Sequence, residues 1–260
     1  MTAHSSGASG PVVLKLGGSV ITDKSRPETL DGPALTDAAD AIAEARSAGT
    51  VEKLLIVHGG GSFGHHHADR YGVTTEAGTH DAGKALAIHG AMTTLNRFVL
   101  SRLHERDVPA LPVHPLSAAA RDGEGTLSYP ESGIETMLAE GFVPVTHGDG
   151  VPHCGEGVSV LSGDEIVSRL ATGLDAYRVG VCSTVPGVLD GDGEVIPEIE
   201  TFAEVESALG GSDSTDVSGG MAGKVRELLE LEAPASVFGP DDLAAFLRGE
   251  SPGTRIDGAD

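Results

Sequence analysis

The chain has 260 residues, 39% of them hydrophobic and 37 of them glycine, a size and balance that describe one large domain or two closely joined lobes and exclude a mostly disordered, fibrous or coiled-coil protein. Seventeen basic residues against 39 acidic ones give a formal charge of -22. That balance opposes any broad affinity for nucleic acid or anionic lipid, so a bound anion needs a local exception.

Only five of the basic residues are lysines, and Asp and Glu are dispersed along the chain instead of gathered in a tail. A dispersed acidic, lysine-poor surface fits a salt-rich, halophilic cytoplasm, where screening removes the self-repulsion that opposes compaction; an ordinary acidic mesophile is the competing reading. Cys154 and Cys182 are too few for a disulfide framework and too far apart for a local metal knuckle, so a reducing interior is expected. The first ten residues, MTAHSSGASG, have neither a basic start nor an apolar run, and no later stretch approaches the ~18 apolar residues that span a bilayer. The expectation is a cytoplasmic protein, neither exported nor embedded.

Val12 to Leu16 reads as a buried strand that runs straight into Gly17-Gly18-Ser19. It delivers Lys15 and then a turn whose bare amides can approach a phosphate, with Lys24 in the same loop; a plain turn with a solvent-reaching lysine is the alternative. Apolar spacing at i, i+3 and i+4 predicts a helix around Ala34 to Ser47. The next strand, Leu54 to Val57, opens into His58-Gly59-Gly60-Gly61-Ser62-Phe63-Gly64-His65 and a further helix. Gly59-x-Gly61-x-x-Gly64 fits the dinucleotide fingerprint, but the position about twenty residues on, where an acid should end a strand, falls in Thr79-His80-Asp81 with no apolar run before it. These glycines are read instead as carrying amides to a phosphate at a strand's carboxyl end. Three adjacent histidines, His65 to His67, cannot all face one way, and no Cys or Glu stands at a ligand spacing, so no protein metal site is assigned. His65 alone, at the helix start, would donate a hydrogen bond to a substrate phosphate; a surface run without function is the competing reading.

A long helix from Ala82 to Arg106, a strand at Ala110 to Val113, a helix at Ile134 to Glu140 and a strand at Phe142 to Thr146 follow. Gly148 to Gly157, with Pro152 and four glycines, reads as a hinge dividing an N-terminal lobe, residues 1–150, from a C-terminal lobe, residues 151–260. Ser162 and Glu165 form a Ser-x-x-Glu box, predicting a helix over Asp164 to Thr172 that begins near Gly163 with Asp164 in its first turn. After a strand at Ala176 to Val181, Val185 to Ile199 reads as an excursion in which Val188 and Leu189 meet Val195 and Ile196 across Asp190-Gly191-Asp192-Gly193. A helix at Phe202 to Leu209 precedes a third glycine cluster, Asp216 to Lys224. It is not a P-loop, because Ser218 and Val225 occupy the first and last positions of that motif. A glycine pair ahead of a helix at Gly223 to Leu231 still provides amides, a dipole and the Lys224 charge for a polyphosphate. Ala235 to Phe238 completes the strands. Strand and helix in turn predict an α/β fold with a mainly parallel central sheet covered on both faces.

Lys15, Lys24 and Lys224 are three of only five lysines, and all sit within or just after glycine-rich loops. Anion handling explains that placement economically, and phosphoryl transfer, which asks mainly for cations and amides around spreading charge, fits it.

In order, Lys15-Leu16-Gly17-Gly18-Ser19, His58 through His65, His147-Gly148-Asp149, Leu161-Ser162-Gly163-Asp164-Glu165 and Asp216 through Lys224 resemble the amino acid kinase superfamily, and within it the isopentenyl phosphate kinase family. The resemblance covers roughly residues 11 to 248, and the His-Gly-Gly-Gly-Ser-Phe-Gly-His string is its family-level discriminator. It implies a three-layer α/β/α sandwich, a homodimer, a place in isoprenoid biosynthesis, and transfer of the γ-phosphoryl of ATP to isopentenyl phosphate. The acceptor would lie in the N-terminal lobe and the nucleotide in the C-terminal lobe. By resemblance, Lys15 and Lys224 would contact the transferring phosphate, Lys24 would stabilise the transition state, and His65 would grip the acceptor phosphate. Gly59, Gly64, Gly148 and Asp149 would face the acceptor; Gly17, Gly18, Ser19, Gly60, Gly187 and Gly220 would face the nucleotide; Asp164 would orient the lysines. Mg2+ would be held chiefly by ATP and water. Ser183-Thr184-Val185-Pro186-Gly187-Val188 departs from the superfamily's Thr-Asp-Val-Asp-Gly-Val by lacking both acids, and Ser218 replaces a commoner threonine.

An apolar slot for an isoprenoid tail would come from Ala91, Met92 and Leu95 on the long helix, with ordinary core as the competing reading. Two alternatives stay open: a kinase of the same fold acting on another small acceptor such as a phosphonate antibiotic, and a non-catalytic nucleotide-sensing module.

Overall fold

The computed structural model describes residues 10–209 and 220–258. Its elements are β1 (Val12–Leu16), α1 (Gly18–Ile21), α2 (Gly32–Ser47), β2 (Leu54–His58), α3 (Gly61–Tyr71), α4 (Ala82–His104), β3 (Ala110–Pro112), α5 (Pro115–Ala118), β4 (Ala120–Arg121), β5 (Leu127–Ser128), α6 (Ser132–Ala139), β6 (Val143–His147), β7 (Asp149–His153), β8 (Gly157–Leu161), α7 (Gly163–Gly173), β9 (Arg178–Cys182), β10 (Glu198–Ile199), α8 (Glu206–Leu209), α9 (Gly220–Leu229), β11 (Ala235–Phe238), α10 (Leu243–Leu247) and β12 (Thr254–Ile256).

Eight strands form one sheet in the order β10-β12-β11-β9-β1-β2-β6-β3. All neighbours are parallel except β11 and β12. The central strands are buried along their whole length, because helices cover both faces. Alternation along β1 sorts the two layers: Val12, Leu14 and Leu16 join the core beneath α2, α4 and α10, while Val13 joins the opposite core with residues of α7 and α9. Lys15 shares the parity of Val13, so the pleat carries its side chain to the α7 side of the sheet. The expected three-layer, mainly parallel architecture is therefore present.

Side-chain caps set several helix starts: Asp31 accepts from Ala34 N, Asp81 accepts from Gly83 N and Lys84 N, and Ser162 Oγ accepts from Glu165 N at 3.1 Å. The excursion forms as expected, with Leu189 bridging Val195 and Ile196 N donating to Val188 O. The helix expected at Phe202 to Leu209 is broken into a 3-10 turn at Phe202–Glu204 followed by α8, and the helix expected from Gly223 begins at Gly220.

The segment read as a hinge, Gly148 to Gly157, instead folds as β7 and its turn. β7 pairs antiparallel with β8 from Asp149↔Leu161 to His153↔Gly157, within a second sheet ordered β5-β4-β7-β8. Glycine and proline argue locally against a strand, but Val151 and Leu161 are fully buried in the α7-side core, and that packing overrides local propensity. Among the described residues, no helix is long and apolar enough to cross a membrane.

Candidate active site

Four parallel strands, β9, β1, β2 and β6, end side by side, and ligands of open α/β sheets bind beyond such carboxyl ends. Backbone hydrogen bonds stitch the following loops together: Gly17 N to Cys182 O at 2.9 Å, Gly59 N to Leu16 O at 3.0 Å and Gly148 N to His58 O at 3.0 Å. A Cβ on Gly18 would lie 2.1 Å from Gly61 N, so the first two glycine loops back onto one another in a way no side chain allows. The loops open a cleft of about 290 Å³. Helices α1 and α3 both start in its wall without a side-chain cap, which leaves their positive ends suited to anionic ligands.

The buried centre of the cleft is Asp164 in the first turn of α7. Lys15 Nζ lies 2.5 Å from one of its carboxylate oxygens and Lys224 Nζ, from α9, 2.6 Å from the other. The Ser162 cap fixes the helix end that carries Asp164, while the Glu165 carboxylate is taken by Arg121 of β4 in a bidentate pair. Burial pushes Lys15 down to about 8 from an ordinary 10.5, against the attraction of Asp164. Burial likewise opposes charge on Asp164, yet the two lysines hold its carboxyl at about 2. The Asp164 carboxylate thus holds both lysine side chains in place before any ligand arrives.

Lys24 and His65 line the same cleft but are exposed. Neither has a hydrogen-bond or ion-pair partner among the described residues, so the Lys24 ammonium and the His65 ring are both open to a ligand. Lys15, Lys24, His65 and Lys224, placed on four separate elements or loops, thus converge on one cavity. Gly17, Gly18, Ser19, Gly59, Gly60, Gly64, Gly148, Asp149 and Gly220 line it too.

Gly187 does not. A Cβ there would meet Val195 and Thr254, which places this residue beneath the excursion and outside the cleft wall. Asp216 to Gly219 of the third glycine cluster lie outside the described residues. Of the expected tail-pocket residues only Met92 reaches the cavity, joined by Ile88 one turn earlier; Ala91 and Leu95 are in the core, because their face of α4 points toward the sheet.

A feature that sequence reasoning missed lies behind the Asp149 side of the cleft. Asp149, buried at the start of β7, accepts from Gly150 N at 2.8 Å and pairs with His89 Nδ1 of α4 at 2.8 Å. His114 meets the ring of His89 edge-on and shares a 3.0 Å hydrogen bond with His147, which stacks on His58. The hydrogen bond to Asp149 raises the pKa of His89, whereas burial lowers His114 and His147 and pushes His58 down to about 4. The column thus has one charge-favouring end and a neutral interior. Its members come from β2, α4, β6 and the loop before α5, so no local pattern in the sequence announces it.

Among the described residues, no group of three or more His, Cys, Asp or Glu side chains is placed to hold a metal. Both oxygens of Asp164 are already committed to lysines.

Residues 10–233 match the amino acid kinase family. The chain is 62% identical over 247 residues to isopentenyl phosphate kinase of Haloferax volcanii, covering 95% of this chain and 98% of that one. It is 33% identical to isopentenyl phosphate kinase of Methanocaldococcus jannaschii, covering 94% and 98%. An X-ray structure of isopentenyl phosphate kinase superposes with a TM-score of 0.80 at 29% identity, covering 94% of this chain and 99% of that one. The chain belongs to the amino acid kinase family and, within it, groups with the isopentenyl phosphate kinases.

Proposed function

We propose that this protein transfers the γ-phosphoryl group of ATP to isopentenyl phosphate, giving isopentenyl diphosphate and ADP. The observation that carries the proposal is the convergence of Lys15, Lys24, His65 and Lys224 on one cleft walled by glycine amides. The acceptor is inferred from relatives named isopentenyl phosphate kinase, and His65 fits it, because a phosphate is what an exposed imidazole on the cleft wall can hold.

In the proposed reaction an oxygen of the acceptor phosphate attacks the γ-phosphorus in line, the bond to the bridging oxygen breaks, and its electron pair leaves with ADP. The nucleophile is already an oxyanion, so no general base is required. Lys15 and Lys224 would receive the charge spreading over the transferring group, Asp164 keeping the two ammonium groups together at 2.5 and 2.6 Å. Lys24 would close the remaining side in the transition state. Gly17, Gly18, Ser19, Gly60 and Gly220 would serve the nucleotide, and Gly59, Gly64, Gly148 and Asp149 the acceptor; Gly187 is left out of this set. Residues 1–150 would form the acceptor lobe and residues 151–260 the nucleotide lobe. Among the described residues the carboxylates form no cation cage; Mg2+ would enter with ATP, held by its phosphate oxygens and water. Ala68, Ile88, Met92 and Val160 offer the tail an aliphatic wall. We further infer a cytoplasmic homodimer working in high salt.

The test is a coupled ADP-release assay in high KCl with isopentenyl phosphate, a phosphonate, an acylated amino acid and carbamate. Turnover that depends on isopentenyl phosphate is expected. Equal or better turnover with another acceptor, or nucleotide binding without turnover for any, would overturn the reading.

A further inference from the structure

The loop between α1 and α2 carries Lys24. It is tied to the opening turn of α3, the helix that carries His65. Ser62 makes most of the connection. Its backbone N donates to Thr22 Oγ1 at 3.0 Å, its carbonyl accepts from Glu28 N at 3.0 Å, and its hydroxyl both accepts from Thr29 N at 3.2 Å and donates to Thr29 O at 3.1 Å. Ser62 is buried, so a lost partner is costly.

The loop is also braced internally. Asp23 N donates to Thr29 O, and the Asp23 carboxylate accepts from Ser25 and Arg26, which turns the chain sharply around Lys24. Beyond it Glu28 sits at φ +48, a left-handed conformation unusual for a residue with a side chain, and its carboxylate meets His67 Nε2, two residues along α3 from His65. The buried Nδ1 of His67 has no partner among the described residues, so this imidazole's one polar tie goes to the Lys24 loop. Backbone strain at Glu28 persists only if its surroundings hold it, and the two groups bonded to Glu28 itself, Ser62 O and His67 Nε2, both belong to α3.

We infer that Ser62, assisted at the rim by the Glu28 and His67 pair, is a positioning residue that sets Lys24 against the phosphate gripped by His65, so that one helix fixes both the acceptor and the cation that stabilises its transfer. Ser62 need not touch substrate for this. Misplacing a charged group by about 1 Å can cost on the order of 100-fold in rate, and the exposed Lys24 side chain has no polar partner among the described residues to restrain it. The inference rests on the proposed kinase activity and on the role given there to Lys24.

A double-mutant cycle tests it with the full chain, ATP and isopentenyl phosphate. Ser62→Ala is expected to lower kcat about tenfold while both KM values stay within about twofold. In the Lys24→Ala background the same change should lower kcat by less than about twofold, because the group being positioned is gone. A tenfold loss in both backgrounds would mean that Ser62 acts on the site independently of Lys24 and would overturn the inference. If Ser62→Ala does not fold, as judged by thermal unfolding, His67→Ala supplies the cycle: a smaller loss of kcat that vanishes without Lys24 sustains the inference, and one that persists undiamished in the double mutant defeats it. A normal kcat for Lys24→Ala alone would instead remove the role of Lys24 itself, which separates failure of the functional reading from failure of the positioning role.

Discussion

The two walls of the cleft hold cations in opposite ways. On one wall Lys15 is buried and Lys224 largely so, and each is clamped to an oxygen of Asp164; on the other Lys24 and His65 are exposed, with no polar partner among the described residues. A buried ion pair is paid for at folding, and removing one member strands the others in low dielectric. An exposed, unpaired charge costs little to keep and little to lose until a ligand arrives. The difference teaches that the first wall joins stability to function, while the second is a functional surface laid over a fold that stands without it.

The sharpest break between the walls should come from Asp164→Asn. Two buried ammonium groups would then face each other without a counter-charge, costing about 3 kcal/mol and lowering Tm by roughly 6 to 12 °C, measured by calorimetry. Turnover should collapse with it. Lys24→Ala is the mirror case: kcat should fall ~100-fold, about 2.7 kcal/mol of barrier, with Tm unchanged, and a large drop in Tm would erase the distinction between the walls. Next in size, His65→Ala should raise KM for isopentenyl phosphate about tenfold through loss of a hydrogen bond to a charged group, leaving KM for ATP as it was.

The smallest effect is a pH dependence that belongs to the buried wall alone. Lys15 must be charged to assist transfer, so turnover should decline as pH rises through about 8. Stability runs the other way. Because burial holds the folded pKa below the ordinary 10.5, the unfolded chain binds more protons between about 8 and 10.5, and Lys15 destabilises the fold less as pH climbs through that window. A pH profile of kcat beside a pH series of unfolding free energies checks both signs. In Asp164→Asn the rise in stability should begin at lower pH, since Asp164 is what raises the lysine against its burial; a rise that stays put would mean another group titrates.

How much of this was legible in the sequence follows from where the information sits. The strand-to-glycine junctions after Leu16 and His58 are local, and the fold realises them because parallel strands ending in glycines leave amides at one edge of a sheet. Ser162 announced the start of α7, again a local signal, and Lys15, Lys24 and Lys224 stood out by their scarcity. The second sheet was not legible: Gly148, Gly150 and Pro152 oppose a strand locally, and only the partner β8 and the burial of Val151 make one. The histidine column was not legible either, since His58, His89, His114 and His147 meet only in three dimensions. Gly187 shows the opposite failure, in which a motif position is kept while the backbone there lies under Val195 and Thr254.

That both walls act on a single transfer is tested most directly with ATP labelled with radioactive phosphorus in its γ-phosphoryl group, incubated with isopentenyl phosphate and protein in high KCl. The label should appear in the terminal phosphate of isopentenyl diphosphate, at a rate cut ~100-fold in Lys24→Ala and abolished in Asp164→Asn. Label released as inorganic phosphate regardless of acceptor, or transferred at full rate without Lys24, would contradict it.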